Sequence, residues 1–324
     1  MENKVFKTVL LLALPASGKS EVRHFMANID AKRLEEEFHI GENLQVDDFP
    51  YVHFMRCIDN EMEKLGKDHI FYPGQNPFIN NKDWGTLTHL LNEDYHDLIN
   101  RKKVQVDSAA IFLFDRIDAA AQIVGLPPRM AMLGEDVRKT IAEKLEAEAQ
   151  KIKDDNESQI PDSFENKTIV IECARGGSDG SSMPLSGAYG YQYSLPQFAP
   201  DLLEDAAILY IWVTPEESRR KNSERANPDD PGSNLFHGVP LSVMLGDYGC
   251  DDMLYLKENS EVADTITVRQ HGRTFHVPIG IFDNRNDKTT FLREDIGKWD
   301  PENIKIMSEA IRQATDTMWS NYKK

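Results

Sequence analysis

The stretch Val5-Phe-Lys-Thr-Val-Leu-Leu-Leu-Ala-Leu-Pro-Ala-Ser-Gly-Lys-Ser20 decides the fold. Val5 to Ala13 is an apolar run of strand length, and from Ser20 onward Val22, Phe25, Met26 and Ile29 recur at helical spacing. The order is strand, tight loop, helix. In that setting Ala13-Leu-Pro-Ala-Ser-Gly-Lys-Ser20 reads as a phosphate-holding loop, with backbone N–H groups and the helix N-terminus turned toward an anion. Lys19 adds a point charge for the β- and γ-phosphates, Ser20 offers a hydroxyl to Mg²⁺, and Gly18 permits close backbone approach. Ala13, Pro15, Ala16, Ser17, Gly18, Lys19 and Ser20 are therefore candidate nucleotide-binding residues. Ala13 stands where the usual pattern has glycine. Alanine resists positive φ, so either the turn is adapted or the affinity is lowered.

Working outward, Leu44 to Val46 reads as a second strand ending at Asp47 and Asp48, and Thr168 to Cys173, Ala207 to Val213 and Thr274 to Phe282 as further strands. Apolar strands alternating with helices imply an α/β fold of the P-loop NTPase kind, a parallel sheet of about five strands flanked by helices. Residues 51–165 are helical and polar, with segments at Trp84 to Asn100, Ser108 to Val124 and Glu135 to about Lys153, the last two separated by Leu126-Pro127-Pro128. They form a large insertion, a substrate or lid region, in a core made of 1–50 and 166–324. Val137, Ile141, Leu145, Ala149 and Ile152 share one stripe too short for sustained heptads, so that helix is expected to dock on its own domain.

Ligands of open parallel sheets sit beyond the carboxyl ends of the strands. Asp47, Asp48 and Glu172 lie at such ends, where a carboxylate can position Mg²⁺ or take a proton from an attacking hydroxyl. Strand alternation predicts that one of Asp47 and Asp48 faces the site; the alternative is that Asp-Asp-Phe-Pro only turns the chain and caps a helix. After the fourth strand, Thr214 to Arg225 reads as a capped helix with Pro215 in its first turn and a cluster of arginines. Arg219, Arg220 and Arg225 either neutralise a transferring phosphate or form a solvated face with Glu216, Glu217 and Glu224.

The Gly-Lys-Ser loop, Val46-Asp47-Asp48-Phe49 and Ile169-Val-Ile-Glu172 together resemble the P-loop small-molecule kinases of the uridine kinase, nicotinamide riboside kinase and phosphoribulokinase group. The resemblance covers roughly 1–50 and 165–295. It implies ATP and Mg²⁺, with Lys19 on the phosphates, Asp47 or Asp48 as general base, and Ser20 and Glu172 on the metal side. It also implies that Arg175 grips substrate alongside Asp47, and that Arg219, Arg220 and Arg225 belong to a lid helix like that of nucleoside monophosphate kinases. Asn284, in Phe282-Asp-Asn-Arg-Asn-Asp287, would lie beside the adenine ring. The expected activity is transfer of the γ-phosphate to a small-molecule hydroxyl or phosphate. The chain shows no Asn-Lys-x-Asp guanine signature, which favours ATP. Two alternatives stay open: a nucleotide-dependent ATPase switch acting through residues 51–165, and a degenerate kinase that binds nucleotide without turnover.

A formal charge of −17 over 324 residues disfavours general affinity for nucleic acid or anionic lipid, leaving small molecules as the expected partners. Cys57, Cys173 and Cys250 share no short spacing and leave one thiol over in any pairing, as expected of a reducing, cytoplasmic protein. Lys4 and Lys7 before the apolar run mimic a signal peptide, but that run is short and leads at once into Gly-Lys-Ser. His53, His69, His89 and His96 have no metal-ligand spacing, and the four tryptophans read as core or half-buried residues.

Overall fold

The computed structural model describes residues 4–225 and 238–322. Six strands form one sheet: β1 (Thr8–Leu12), β2 (Glu42–Asp47), β3 (Lys167–Cys173), β4 (Ala206–Trp212), β5 (Thr265–Gln270) and β6 (Arg273–Asp283). Their order is β2-β3-β1-β4-β6-β5. All neighbours pair parallel except β5, which runs antiparallel to β6. β1 is buried along its whole length, as a central strand covered on both faces must be.

The expected sheet of about five strands thus gains a sixth. A turn at His271-Gly272 closes a hairpin between β5 and β6, with φ of 48° and 76° at its two central residues, as a primed two-residue turn requires. Strand β5 escaped the sequence reading because it alternates: Ile266 and Val268 are buried while Arg269 is exposed, so no continuous apolar run marks it.

The helices are α1 (Lys19–Ala27), α2 (Ala31–Phe38), α3 (Phe49–Lys64), α4 (Asp83–Ile99), α5 (Ala109–Ile123), α6 (Glu135–Ser158), α7 (Gly190–Ser194), α8 (Pro200–Glu204), α9 (Pro215–Arg225), α10 (Leu241–Gly246), α11 (Met253–Glu258) and α12 (Pro301–Tyr322). Val22, Phe25 and Met26 of α1, Leu34 of α2 and Met307, Ile311 and Met318 of α12 cover one face of the sheet. Leu91 and Leu98 of α4, Leu202 of α8 and Met253 of α11 cover the other. Helix α12 reaches the sheet at Gly280, where an added Cβ would lie 2.0 Å from the Ala314 carbonyl oxygen.

Helices α3 to α6 lie between β2 and β3 in sequence and share a third cluster around Phe54, Ile58, Leu113, Phe114 and Ile141. Leu14, Val213 and Met244 join that cluster, so the helical block packs onto the carboxyl end of the sheet. The stripe of α6 docks on its own domain as expected, with Ile141, Leu145, Ala149 and Ile152 buried against α3 and α5. Tyr51 fixes the start of α3 by donating its hydroxyl to Asp94 at 2.7 Å, and Arg116 donates to the same carboxylate at 2.8 Å. Among the described residues, no helix is long and apolar enough to cross a membrane.

Candidate functional site

The loop between β1 and α1 turns through left-handed conformations at Ala16, φ 53°, and Gly18, φ 105°. Ala13 is not at such a position, so its methyl group adds no backbone strain and the turn is adapted to it. Three loop carbonyls are tied from outside the loop. Tyr191 donates to Ala13 O at 3.1 Å, Ser218 to Pro15 O at 2.7 Å, and Asn284 Nδ2 to Ser17 O at 2.7 Å. With the carbonyls held there, the turn can form the concave nest of N–H groups that suits an anion. An added Cβ on Gly18 would stand 2.6 Å from Thr289 Oγ1 and 2.9 Å from Asn284 Nδ2, so that position is closed to side chains.

Register brings the carboxylates together. Asp47, the last residue of β2, pairs with Glu172 near the end of β3, and Leu11 of β1 pairs with Glu172 on the other side. Lys19 is buried, donates to Leu14 O at 3.3 Å and lies 4.0 Å from Glu172 Oε1. One helical turn on, Arg23 places Nη1 2.5 Å from Glu172 Oε2 and 3.2 Å from Asp47 Oδ2, and Nη2 on the Gln45 side chain. The sequence reading missed Arg23; its signal was the Lys19–Arg23 spacing, which sets two cations on one face of α1.

Both Asp47 and Asp48 line the cavity, which corrects the expectation that only one would. The strand stops at Asp47, and Asp48 has φ −87°, ψ −11° as the residue that starts α3, so strand alternation no longer governs it. Asp47 also accepts the Phe49 N–H at 2.9 Å, so the turn-forming reading holds alongside the site reading. Burial first, and the Glu172 carboxylate second, push Asp47 up to about 7 against the pull of Arg23. Burial likewise raises Asp48, and Arg175 pulls it back.

Arg175 was expected to grip substrate, but the structure gives its donors to the protein. It is 1 % exposed and donates to Asp48 Oδ2 at 2.5 Å, Ala174 O at 2.8 Å, Thr88 Oγ1 at 3.3 Å and Ser194 Oγ at 3.2 Å. Its guanidinium lies 5.2 Å from the centre of the Trp84 ring. Helix α4 supplies Thr88 and Trp84, and so covers this arginine and makes it the clamp on Asp48.

Asn284 is also placed differently from the expectation. It is fully buried behind the loop, braced on Ser17 O and Thr289, and does not line the cavity. Arg219 contacts Asp179 and Glu216, and Arg220 contacts Glu217 and Glu224, so neither lines the cavity and the solvated-face alternative describes both. Arg225 ends α9, and its side chain lies outside the described residues.

The cavity itself holds about 130 Å³. Its floor is the loop from Pro15 to Ser20 with Asp47, Asp48 and Glu172; its opposite wall comes from α3 (Phe49, Val52, Arg56), from Tyr72 and Trp84, and from Asp247 and Tyr248 after α10. Ser20, Glu172 and Asp47 are hard oxygen donors of the kind Mg²⁺ takes together with phosphate oxygens and water. Among the described residues, no group of three His, Cys, Asp or Glu could cage a metal ion by protein ligands alone.

No protein-family model matches the chain, and no curated protein or solved structure is significantly similar to it.

Proposed function

We propose that the chain is an ATP- and Mg²⁺-dependent phosphotransferase of the P-loop kind that moves the γ-phosphate to a small-molecule acceptor. The observation that carries this reading is the two-sided cavity, with a lysine-bearing phosphate loop and three carboxylates facing a wall built from other segments. The second wall, with its own aromatic and charged side chains, provides a place for an acceptor across from the loop. Bound at Ser20 and Glu172, Mg²⁺ would supply charge neutralisation to the phosphoryl oxygens.

Lys19 exchanges its long bond to Leu14 O for phosphate oxygens. Arg23 holds Glu172 and Asp47 in place, since one guanidinium nitrogen contacts both. The two aspartates divide the remaining work by which oxygens are taken. Asp47 has Oδ1 on the Phe49 N–H and Oδ2 on Arg23, whereas Asp48 has Oδ2 on Arg175, leaving Oδ1 for an acceptor hydroxyl. Asp48 Oδ1 takes the hydroxyl proton as the acceptor oxygen bonds to the γ-phosphorus, the bridging P–O bond breaks and ADP leaves. Asp48 is therefore the general base, and Arg175 its positioning residue.

The test is ADP release from ATP·Mg²⁺, alone and with neutral and phosphorylated acceptors, using Lys19→Ala as the blank. Acceptor-dependent ADP that disappears in the variant is expected. A second reading, the nucleotide-dependent switch, draws support from Arg219 and Arg220, whose pairing on α9 keeps them away from the cavity. It predicts slow hydrolysis indifferent to every acceptor, with nucleotide-dependent proteolysis of residues 51–165, and that pattern would replace the first reading. A third reading, the degenerate kinase, draws no support from Ala13, whose backbone is outside the left-handed region.

A further inference from the structure

Three oxygen-bearing side chains converge on the guanidinium of Arg23: Gln45 through Oε1, Asp47 through Oδ2 at 3.2 Å and Glu172 through Oε2 at 2.5 Å. The sheet builds this convergence. Gln45 and Asp47 stand two apart on β2 and so share a face, and Glu172 is the register partner of Asp47 on β3. Arg23 reaches them from α1, one turn beyond Lys19, and does not line the cavity. It acts on a ligand there through the carboxylates it holds.

Glu172 thus stands between two cations of different kinds. Arg23 takes Oε2, and Lys19 Nζ lies 4.0 Å from Oε1. Lys19 ends a flexible stem, lines the cavity and makes a long bond to Leu14 O at 3.3 Å, so phosphate oxygens can draw it away from Glu172. Arg23 is forked across two carboxylates and an amide, and a guanidinium does not give up its proton. The first cation is movable and the second is permanent. Without nucleotide, the formal charges of Lys19, Arg23, Asp47 and Glu172 cancel. The hold of oxygen ligands on a divalent cation follows their charge, and a fixed cation beside Glu172 lowers that hold by repulsion.

We propose that Arg23 is a positioning residue that works by charge as well as by contact: it keeps Asp47 and Glu172 too weak to hold a divalent cation alone, so that Mg²⁺ is held only jointly with phosphate oxygens. The proposal rests on the phosphotransferase reading for the place of the metal at Ser20 and Glu172, and it gives Arg23 a role that bracing does not contain. Bracing and charge predict opposite signs. If Arg23 only held the carboxylates in place, removing it would loosen them and leave metal binding unchanged or weaker. If its charge restrains them, removing it makes metal binding tighter.

The test uses Mn²⁺, which shares the preference of Mg²⁺ for octahedral oxygen ligands and whose free form is counted by electron paramagnetic resonance. The nucleotide-free full chain is titrated as wild type, Arg23→Gln, Arg23→Lys and the double variant Arg23→Gln with Glu172→Gln. Arg23→Gln keeps an amide and removes the charge, and it is expected to bind Mn²⁺ about tenfold or more tighter than wild type. Arg23→Lys keeps the charge and loses the fork, and it is expected to stay within about threefold of wild type. Adding Glu172→Gln is expected to return binding to the wild-type level, which places the gained metal at Glu172. Circular dichroism and thermal melts establish that each variant is folded. Unchanged or weaker Mn²⁺ binding by folded Arg23→Gln overturns the proposal, as does a gain that survives Glu172→Gln or appears equally in Arg23→Lys. Should Arg23→Gln not fold, Lys19→Ala, which removes the other cation facing Glu172, decides in its place: tighter binding supports the proposal and unchanged or weaker binding overturns it. ADP release is measured on the same proteins. Tighter Mn²⁺ binding without acceptor-dependent ADP would remove the phosphotransferase reading and leave the role of Arg23 standing. Acceptor-dependent ADP without the gain in Mn²⁺ binding would do the reverse.

Discussion

The two walls of the cavity are built from different chemistry. On the loop side, the carbonyls of Ala13, Pro15 and Ser17 are braced from outside the loop, and Asp47, Asp48 and Glu172 each have a guanidinium partner. On the opposite side the lining is largely aromatic and aliphatic, from Val52, Tyr72, Trp84, Val243 and Tyr248, with Arg56 and Asp247 as its charged members. The difference teaches that the loop side is held rigid whether or not a ligand is present, the condition for electrostatic preorganisation. The other side offers mainly apolar and aromatic surface, so rate should reside in the first wall and selectivity in the second.

The largest expected effect separates the two aspartates on the loop side. Asp48→Asn should lower acceptor-dependent turnover by about 10²–10⁴-fold, the usual worth of a general base, with nucleotide affinity nearly kept. Asp47→Asn should cost less, because its oxygens serve Phe49 and Arg23. A coupled ADP assay beside fluorescent-nucleotide binding reads both, and a larger loss at Asp47 would exchange the roles. Next in size is Arg175→Met, which leaves Asp48 buried without its cation and should cost about 3–5 kcal/mol in chemical unfolding. Adding Asp48→Asn to that variant should recover part of the loss; if it recovers none, the pair is not the unit described.

The opposite wall has its own signature in pH. Burial pushes Asp247 up to about 7, with Arg56 and the Phe78 N–H pulling it down. A carboxyl raised above its unfolded value binds its proton more tightly in the folded state, so stability is present at low pH and is lost as pH climbs from about 4 to about 7. Asn cannot ionise, so Asp247→Asn should be the more stable form near pH 8 by up to a few kcal/mol, with the gain gone below about pH 4. Melting curves across that range that stay parallel for the two proteins would refute the assignment. The smallest effect is Ala13→Gly, for which nucleotide affinity should change by less than about twofold, because no positive φ awaits relief at that position. A large gain would mean that the loop wall is less finished than its bracing indicates.

How much of this was legible depended on where the determining contacts lie along the chain. The strand, loop and first helix were readable because a continuous apolar run, a glycine-lysine-serine turn and a helical stripe are all local signals. Helices α4, α5 and α6 followed from periodicity to within a few residues. Strand β5 did not, because half of an alternating edge strand is polar. The approach of Asp47 and Asp48 to one cavity was hidden because the chain leaves the strand between them. Arg175 was recognised as belonging near the site, but its clamping role needed Thr88 and Trp84, which only the packing of α4 onto β3 brings there. Asp247 belongs to no motif. A single acid after a six-residue helix carries no sequence sign that it will be fully buried in the cavity wall.

Asp48 stands at the N-cap of helix α3, which carries Val52 and Arg56 along the far wall, so the proposed base and part of the proposed acceptor seat are successive turns of one rigid rod. The distance between reacting group and seat is thereby set by helical pitch, about 5.4 Å per turn. A change in that rod would shift chemistry and recognition together. New acceptors are therefore more readily accommodated at Tyr72 and Asp247, which lie on segments other than this rod and do not touch the Arg175 clamp. In evolutionary terms, α3 is a fixed ruler, and the segments facing it are where this scaffold is free to diversify.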